Sequence, residues 1–141
     1  MSERELIVRV VVVKDDKILL CKSLEKNFYF LPGGHIEQGE SPETALEREL
    51  AEEIGKKPKK IKKVTEVNNI YTRENGAVIE KFYIYLAILD NYENIVSKES
   101  HIAFDWIPVG NLEKIDLKPK KALPNVIKSI EENKEFFGIL F

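Results

Sequence analysis

A single cysteine, Cys21, has nothing to pair with inside the chain, so no intrachain disulfide framework is available, and a lone thiol fits a reducing compartment. Glycine and proline are sparse, at seven and six of 141 residues, and no low-complexity linker, internal repeat or second domain is visible. The length suits one domain over residues 1–141. No apolar run reaches the roughly 18 residues that a membrane helix needs. Met1 to Glu5 is polar and charged, unlike a secretory signal. There is no excess of one charge either: 22 Lys and Arg against 24 Asp and Glu leave a net charge of −2, which disfavours whole-surface binding to nucleic acid. What is present is enough apolar material for one core, 43% of the residues, beside 33% charged. The expectation is a soluble, cytoplasmic protein with no membrane partner and no nucleic-acid partner; nothing in the sequence speaks against a homodimer.

Leu6 to Val13 is aliphatic except for Arg9 and reads as a buried strand. Lys14-Asp15-Asp16-Lys17 is a turn, and Ile18 to Cys21 resumes the apolar pattern as the second arm of a hairpin. After a polar loop, Phe28, Tyr29 and Phe30 stand together, and Pro32-Gly33-Gly34 reads as a turn. Ser41-Pro42 starts a helix, with serine as cap and proline in the first turn. Ala45, Leu46, Leu50 and Ile54 form its apolar stripe, and Gly55 ends it. Ile61 to Arg73 and Val78 to Leu89 read as strands joined by a tight turn carrying Asn75-Gly76. Both faces of the second are apolar, which predicts a sheet covered on both sides. Asp90 to Ser100 is a polar loop, Ile102 to Ile107 a last strand, and Pro119 to Phe137 a final helix with Leu123, Ile127 and Ile130 inward. The fold class expected is α/β (α+β), a mixed sheet between helices.

The chemistry concentrates between Gly34 and Gly55. On a helix, Glu49, Glu52 and Glu53 stand at i, i+3 and i+4 and share one face, opposite Leu46, Leu50 and Ile54. Carboxylates so crowded repel by a few tenths of a kcal/mol per pair. A hard divalent cation, Mg²⁺ or Mn²⁺, turns that cost into a gain. Gly33 and Gly34, without side chains, let a backbone carbonyl approach the same ion, and Glu40 adds a fourth carboxylate at the helix entrance. Because Mg²⁺ is usually held by a few carboxylates and substrate phosphates, the expected substrate is a phosphate ester or anhydride. Any one of these glutamates alone would be an ordinary solvated helix residue.

The full spacing is what distinguishes them. It resembles the Nudix box, G-x5-E-x7-R-E-U-x-E-E-x-G-U with U aliphatic. Gly34, Glu40, Arg48, Glu49, Glu52, Glu53 and Gly55 fill all the fixed positions, with Leu50 in the first aliphatic slot. A chance match is expected on the order of once in 10⁷ chains of this size. The last aliphatic slot holds Lys56 instead, which reads as a local packing difference. Phe30-Leu31-Pro32-Gly33-Gly34, the loop Ile36 to Ser41 and Asp105-Trp106-Ile107-Pro108 are similar to further family segments.

The resemblance implies an αβα sandwich and Mg²⁺- or Mn²⁺-dependent hydrolysis of a diphosphate linkage in a nucleotide-type small molecule. That class includes nucleoside triphosphates, dinucleoside polyphosphates and nucleotide sugars. It implies a metal set of Glu49, Glu52 and Glu53 with the backbone oxygen of Gly33 or Gly34. Glu40 would stand near a second cation or hold the loop, and Arg48 would orient the glutamates. The general base is Glu52 as first choice and Glu99 as second, whereas His101 reads as structural. Phe28 and Tyr29 are candidates to stack on a base. Tyr71, sixteen residues past Gly55, matches a tyrosine that marks diadenosine polyphosphate hydrolases in the family. Two other readings compete: a nucleotide-sensing Nudix domain without catalysis, and an RNA-end processing hydrolase drawn to its substrate by six lysines between Lys56 and Lys63. The sensing reading is disfavoured because no box glutamate is missing, and the lysine run reads first as a solvated loop and strand edge.

Overall fold

Strand β1 (Glu3–Lys14) has charged, exposed ends, but from Ile7 to Val13 it is apolar on both faces apart from Arg9, because that stretch is covered twice. Val8, Val10 and Val12 are buried in one apolar layer, and Ile7, Val11 and Val13 in the other. The structure is a computed structural model and describes residues 3–138. Around β1 lie β2 (Lys17–Ser23), β3 (Tyr29–Phe30), β4 (Gly33–His35), β5 (Pro58–Arg73), β6 (Gly76–Leu89) and β7 (Ile102–Pro108). They form one seven-stranded mixed sheet in the order β3-β2-β1-β6-β5, with β4 added to β1 and β7 to β2. β1 runs parallel to β6 from Glu3 to Val12, and the other pairings are antiparallel. The β1–β2 hairpin closes through Asp15 and Asp16, both at positive φ, 52° and 63°, as a right-twisted two-residue turn needs.

Helix α1 (Pro42–Glu49) covers the Val8 face with Ala45 and Leu46. Ser41 caps it by accepting the Thr44 N–H at 3.1 Å, and Glu43 anchors it to the sheet by accepting the Tyr85 hydroxyl proton. Helix α2 (Ala122–Glu132) covers the Val11 face with Ala122, Val126 and Ile130. Leu46 and Ile130 are almost wholly removed from water, each stabilising the fold by about 2 kcal/mol. Strand β6 contributes Phe82, Ile84 and Leu86 to one layer and Tyr85, Ala87 and Leu89 to the other, as its sequence predicts.

Several local expectations are corrected. Pro32-Gly33-Gly34 is not a turn: Gly33–His35 is a strand, with Val8 opposite Gly34 and Arg9 opposite Gly33. The glycines are required by closeness. A Cβ on Gly33, where φ is +142°, would stand 2.0 Å from the Val8 carbonyl oxygen, and one on Gly34 would stand 2.4 Å from Glu49 Oε1. The first helix does not run regularly to Ile54; Leu50–Ile54 is a wider π-helical turn ending on left-handed Gly55. The β5–β6 turn uses Glu74 and Asn75, with Gly76 already paired to Arg73. The last helix begins at Ala122 because Pro124, having no N–H, is tolerated only in a first turn. No described helix is long and apolar enough to cross a membrane.

The two glycines should respond differently to alanine. Gly33→Ala pushes into backbone and should lower unfolding stability by about 3 kcal/mol in urea titration. Gly34→Ala meets only the end of the Glu49 side chain and should cost less than half as much while displacing that carboxylate. Equal losses would refute this account of the β1–β4 approach.

Candidate active site

Arg48, the next-to-last residue of α1, organises the glutamates. Its Nε and Nη2 donate to the two oxygens of Glu40 at 2.8 and 2.9 Å, a bidentate fork. Nη2 also donates to the His35 carbonyl at 2.9 Å, and Nη1 to Glu49 Oε1 at 2.9 Å and Glu52 Oε2 at 3.4 Å. Glu40 further accepts the Glu37 N–H at 2.8 Å. The Arg48 fork, and then that amide, hold the Glu40 carboxyl down at about 2; Arg48 itself is pushed up, chiefly by Glu40. Glu40 is thereby tied to the loop.

The wider turn at Leu50–Ile54 leaves Glu53 beside Glu49 and sets Glu52 apart from them at the surface. Glu49 is 13% exposed and Glu52 61%. Glu53 turns inward, where burial first, and then the neighbouring Glu49 charge, push its carboxyl up to about 7 against the pull of Arg9 and of a backbone hydrogen bond from Gly33. In the β1–β4 ladder the Val10 N–H bonds the Pro32 carbonyl and the Ile36 N–H bonds the Leu6 carbonyl. By the alternation of an antiparallel pair, Gly34 then faces β1, while Gly33 turns both its N–H and its C=O away, toward Glu53.

Glu49, Glu52 and Glu53 line a groove of about 220 Å³ with Cys21, Phe30 and, from the loop after β6, Lys98 and Glu99. Burial pushes the Cys21 thiol up, so it stays protonated there. Phe30 also lines a second cavity of about 590 Å³, with Arg9, Phe28, Asn69, Glu80 and the segment Lys118 to Lys121. The groove is acidic and the cavity aromatic with a basic rim, and they share a wall.

The NUDIX domain family matches residues 3–126. The chain belongs to the Nudix hydrolase family. An ADP-ribose pyrophosphatase of Bacillus subtilis (strain 168) is 33% identical over 100 residues, covering 57% of this chain and 54% of that protein, so this chain spans about half of its length. An 8-oxo-dGTP diphosphatase of Buchnera aphidicola subsp. Schizaphis graminum is 32% identical over 117 residues, 70% of this chain and 90% of that one. The crystal structure of the mutator MutT protein from Bacillus halodurans superposes with a TM-score of 0.74 at 19% identity, over 87% of this chain and 82% of that one, which speaks for the shared fold.

Within this Nudix chain the structure brings Arg48, Glu40, Glu49, Glu52 and Glu53 together beside Gly33 and Gly34, and places Glu99 on the same groove. It does not assemble an ion cage: no three His, Cys, Asp or Glu side chains among the described residues converge closely enough to hold a metal. Arg48 draws carboxylate oxygens to itself instead. Of the candidate base contacts only Phe28 lines the cavity. Tyr29 points the other way, its hydroxyl donating to Asp105 at 3.3 Å. Tyr71 stands near the end of the β5–β6 ribbon, where its hydroxyl accepts from Arg73, and it lines neither space. Lys56, in the aliphatic slot, is buried with its ammonium on Asn91.

Arg9, Phe30, Asn69 and Glu80 were not singled out as site residues from the sequence. Two signals were there: Phe28 and Phe30 alternate onto one side, and Arg9 is the only charge in the aliphatic run from Leu6 to Val13, a place that demands a partner.

Glu53 gives a pH test. Its folded carboxyl keeps a proton up to about 7, whereas the unfolded one releases it near 4.5, so its contribution to stability is full below about 4.5 and is lost as pH rises through 7. Glu53→Gln removes that loss. In metal-free buffer the variant should match the parent near pH 4 and exceed it by about 1–3 kcal/mol at pH 8, read from urea unfolding across pH. A difference that does not vary with pH would show that Glu53 is not held neutral.

Proposed function

We propose that the chain is a metal-dependent pyrophosphohydrolase that cleaves the diphosphate linkage of a nucleotide-type substrate. The observation that carries this is the shared Phe30 wall between the glutamate groove and the aromatic, lysine-rimmed cavity. A nucleotide has the same two halves, a flat base and a charged phosphate chain. The names of the two relatives are consistent with it, since ADP-ribose and 8-oxo-dGTP are both nucleotides with a phosphoanhydride bond.

The residues fit a hard divalent cation, Mg²⁺ or Mn²⁺. The Gly33 carbonyl is turned out of the ladder, the missing Cβ of Gly34 makes room for the Glu49 carboxylate, and buried Glu53 lacks a sufficient counter-charge. Glu49, Glu52, Glu53 and the Gly33 carbonyl would hold the ion, with Glu40 fixed by Arg48 as the strut behind them. When bound, such an ion offsets phosphate charge and lowers the pKa of an attacking water.

The chain's own groups divide the remaining work. Arg48 fixes the approach of Glu49 and Glu52 and steadies the loop through the His35 carbonyl. Glu52 is exposed, with one oxygen held only at 3.4 Å, which suits it to take the proton of the attacking water. Glu99, on the facing wall, is the second candidate for that role. Phe28 and Phe30 offer their rings to the base, and Lys98 brings positive charge to the groove. The Lys56–Lys63 run lines neither space, which takes away the feature that favoured an RNA end.

A panel of ADP-ribose, nucleoside triphosphates, dinucleoside polyphosphates and nucleotide sugars, followed by ³¹P NMR, tests the reading. Expected products are a nucleoside monophosphate and a phosphorylated partner, or pyrophosphate from a triphosphate, with activity abolished by chelation and restored by Mg²⁺ or Mn²⁺. Glu49→Gln should lower the rate by roughly 10²–10³ without unfolding the protein. Turnover that survives exhaustive chelation, or release of free nucleoside and orthophosphate, would overturn it.

A further inference from the structure

The cavity forms where the α2-covered face of the sheet runs beyond its helix. Phe82 lines it, and the next cross-strand row on that face is polar before Val78 makes it apolar again. Asn69 on β5 and Glu80 on β6 are direct cross-strand partners there, and Asn69 Nδ2 donates to Glu80 Oε1 at 3.0 Å. That bond fixes both side chains relative to each other. It leaves Glu80 Oε2 and Asn69 Oδ1 as neighbouring acceptors with no protein donor among the described residues. Arg9, whose charge interacts with Glu80, lies against the same wall: its guanidinium donates to the Leu31 carbonyl at 3.1 Å and sits 5.7 Å from the Phe30 ring centre. Phe28 and Phe30, 6.0 Å apart and tilted by 53°, complete an apolar side for a flat ring.

We infer that the Glu80–Asn69 pair selects the base of the nucleotide and that the preferred base is of the guanine type. The inference rests on the nucleotide reading above and narrows its substrate class. A carboxylate accepts hydrogen bonds and donates none, so the wall calls for a ligand edge with two adjacent donors. Guanine presents N1–H beside its 2-amino group. Adenine and cytosine each place a ring-nitrogen acceptor beside their amino group, and uracil flanks its single N–H with two carbonyls. Each of those three edges sets at least one acceptor against the acceptors of Glu80 and Asn69. Both residues are half-buried, so a bound ring shuts water off from them, and an analogue that lacks the donors is disfavoured because their acceptors are then left unpaired. Phe28 and Phe30 supply affinity for any base, and Glu80 with Asn69 supplies the choice.

The test is calorimetric binding of nucleoside monophosphates to metal-free protein, which needs no turnover. GMP should bind at least about tenfold more tightly than AMP, CMP or UMP, with IMP, which keeps N1–H and lacks the 2-amino group, in between. Glu80→Gln puts an amide, able to donate and to accept, at the same place; it should erase the GMP preference and tighten AMP, since amides pair with adenine. Should that variant fail to fold, Asn69→Ala leaves Glu80 unsteadied and should shrink the GMP-to-AMP ratio toward one. Equal binding of all five by the parent, no saturable GMP binding at millimolar concentration, or a preference that survives Glu80→Gln would each overturn the inference. If GMP is preferred but nothing in the panel is hydrolysed, the proposed reaction fails and the base selection stands. If hydrolysis proceeds with no base preference, the selection alone fails.

Discussion

The arrangement depends first on Arg48. One guanidinium, at the end of a two-turn helix, grips both oxygens of Glu40, reaches Glu49 and Glu52, and holds the carbonyl of His35. Without it, four acidic side chains would meet at a helix end with nothing between them. A lysine in its place offers one compact charge and no planar fork, so it could not satisfy acceptors in so many directions at once. The same contacts tie together strand β4, the turn carrying Glu40, and α1, adding to the direct packing of Gly34 against Glu49. Positioning the carboxylates and folding this corner of the molecule are thus one event.

A second charge links the two halves of the candidate site. Arg9 belongs to a strand whose other central residues are aliphatic, and burial lowers its pKa. Its charge interacts with Glu53 and Glu49 on one side and with Glu80 on another. The valine run that makes β1 the middle of the sheet also brings this guanidinium between groove and cavity. One strand therefore serves as both core and electrostatic divider.

Much of this could be read from the residues in order. The run from Gly34 to Gly55 carried the box, the Ser41-Pro42 start of α1 was correct, and the two apolar faces of β6 already required a layer on each side. What escaped has physical reasons. Two glycines have no strand propensity, so β4 is legible only once β1 is beside it and the missing side chains are seen to be necessary. A π-helical turn uses the same residues as an α-helical one, so nothing in Leu50–Ile54 announces that Glu52 and Glu53 will part company. Tyr29 and Phe30 are adjacent aromatics whose sides are decided by pairing with β2. Asn69 and Glu80 lie in different strands and acquire meaning only from the register that sets them opposite each other.

Strand β5 ends the sheet order, and its outer row of N–H and C=O groups is an open template for another strand. Its first half carries Lys59, Lys60, Lys62 and Lys63, with Lys60 over the Phe136 ring, Lys62 on Asn133 and Lys63 on Glu66. A second copy approaching this edge to extend the sheet would bring like charges face to face and would have to strip these lysines of water and partners. The cluster that looks from the sequence like a lure for phosphates stands in the fold as a charged fence along an open sheet edge. The fence is incomplete, since Ile70, 61% exposed, stands past its end.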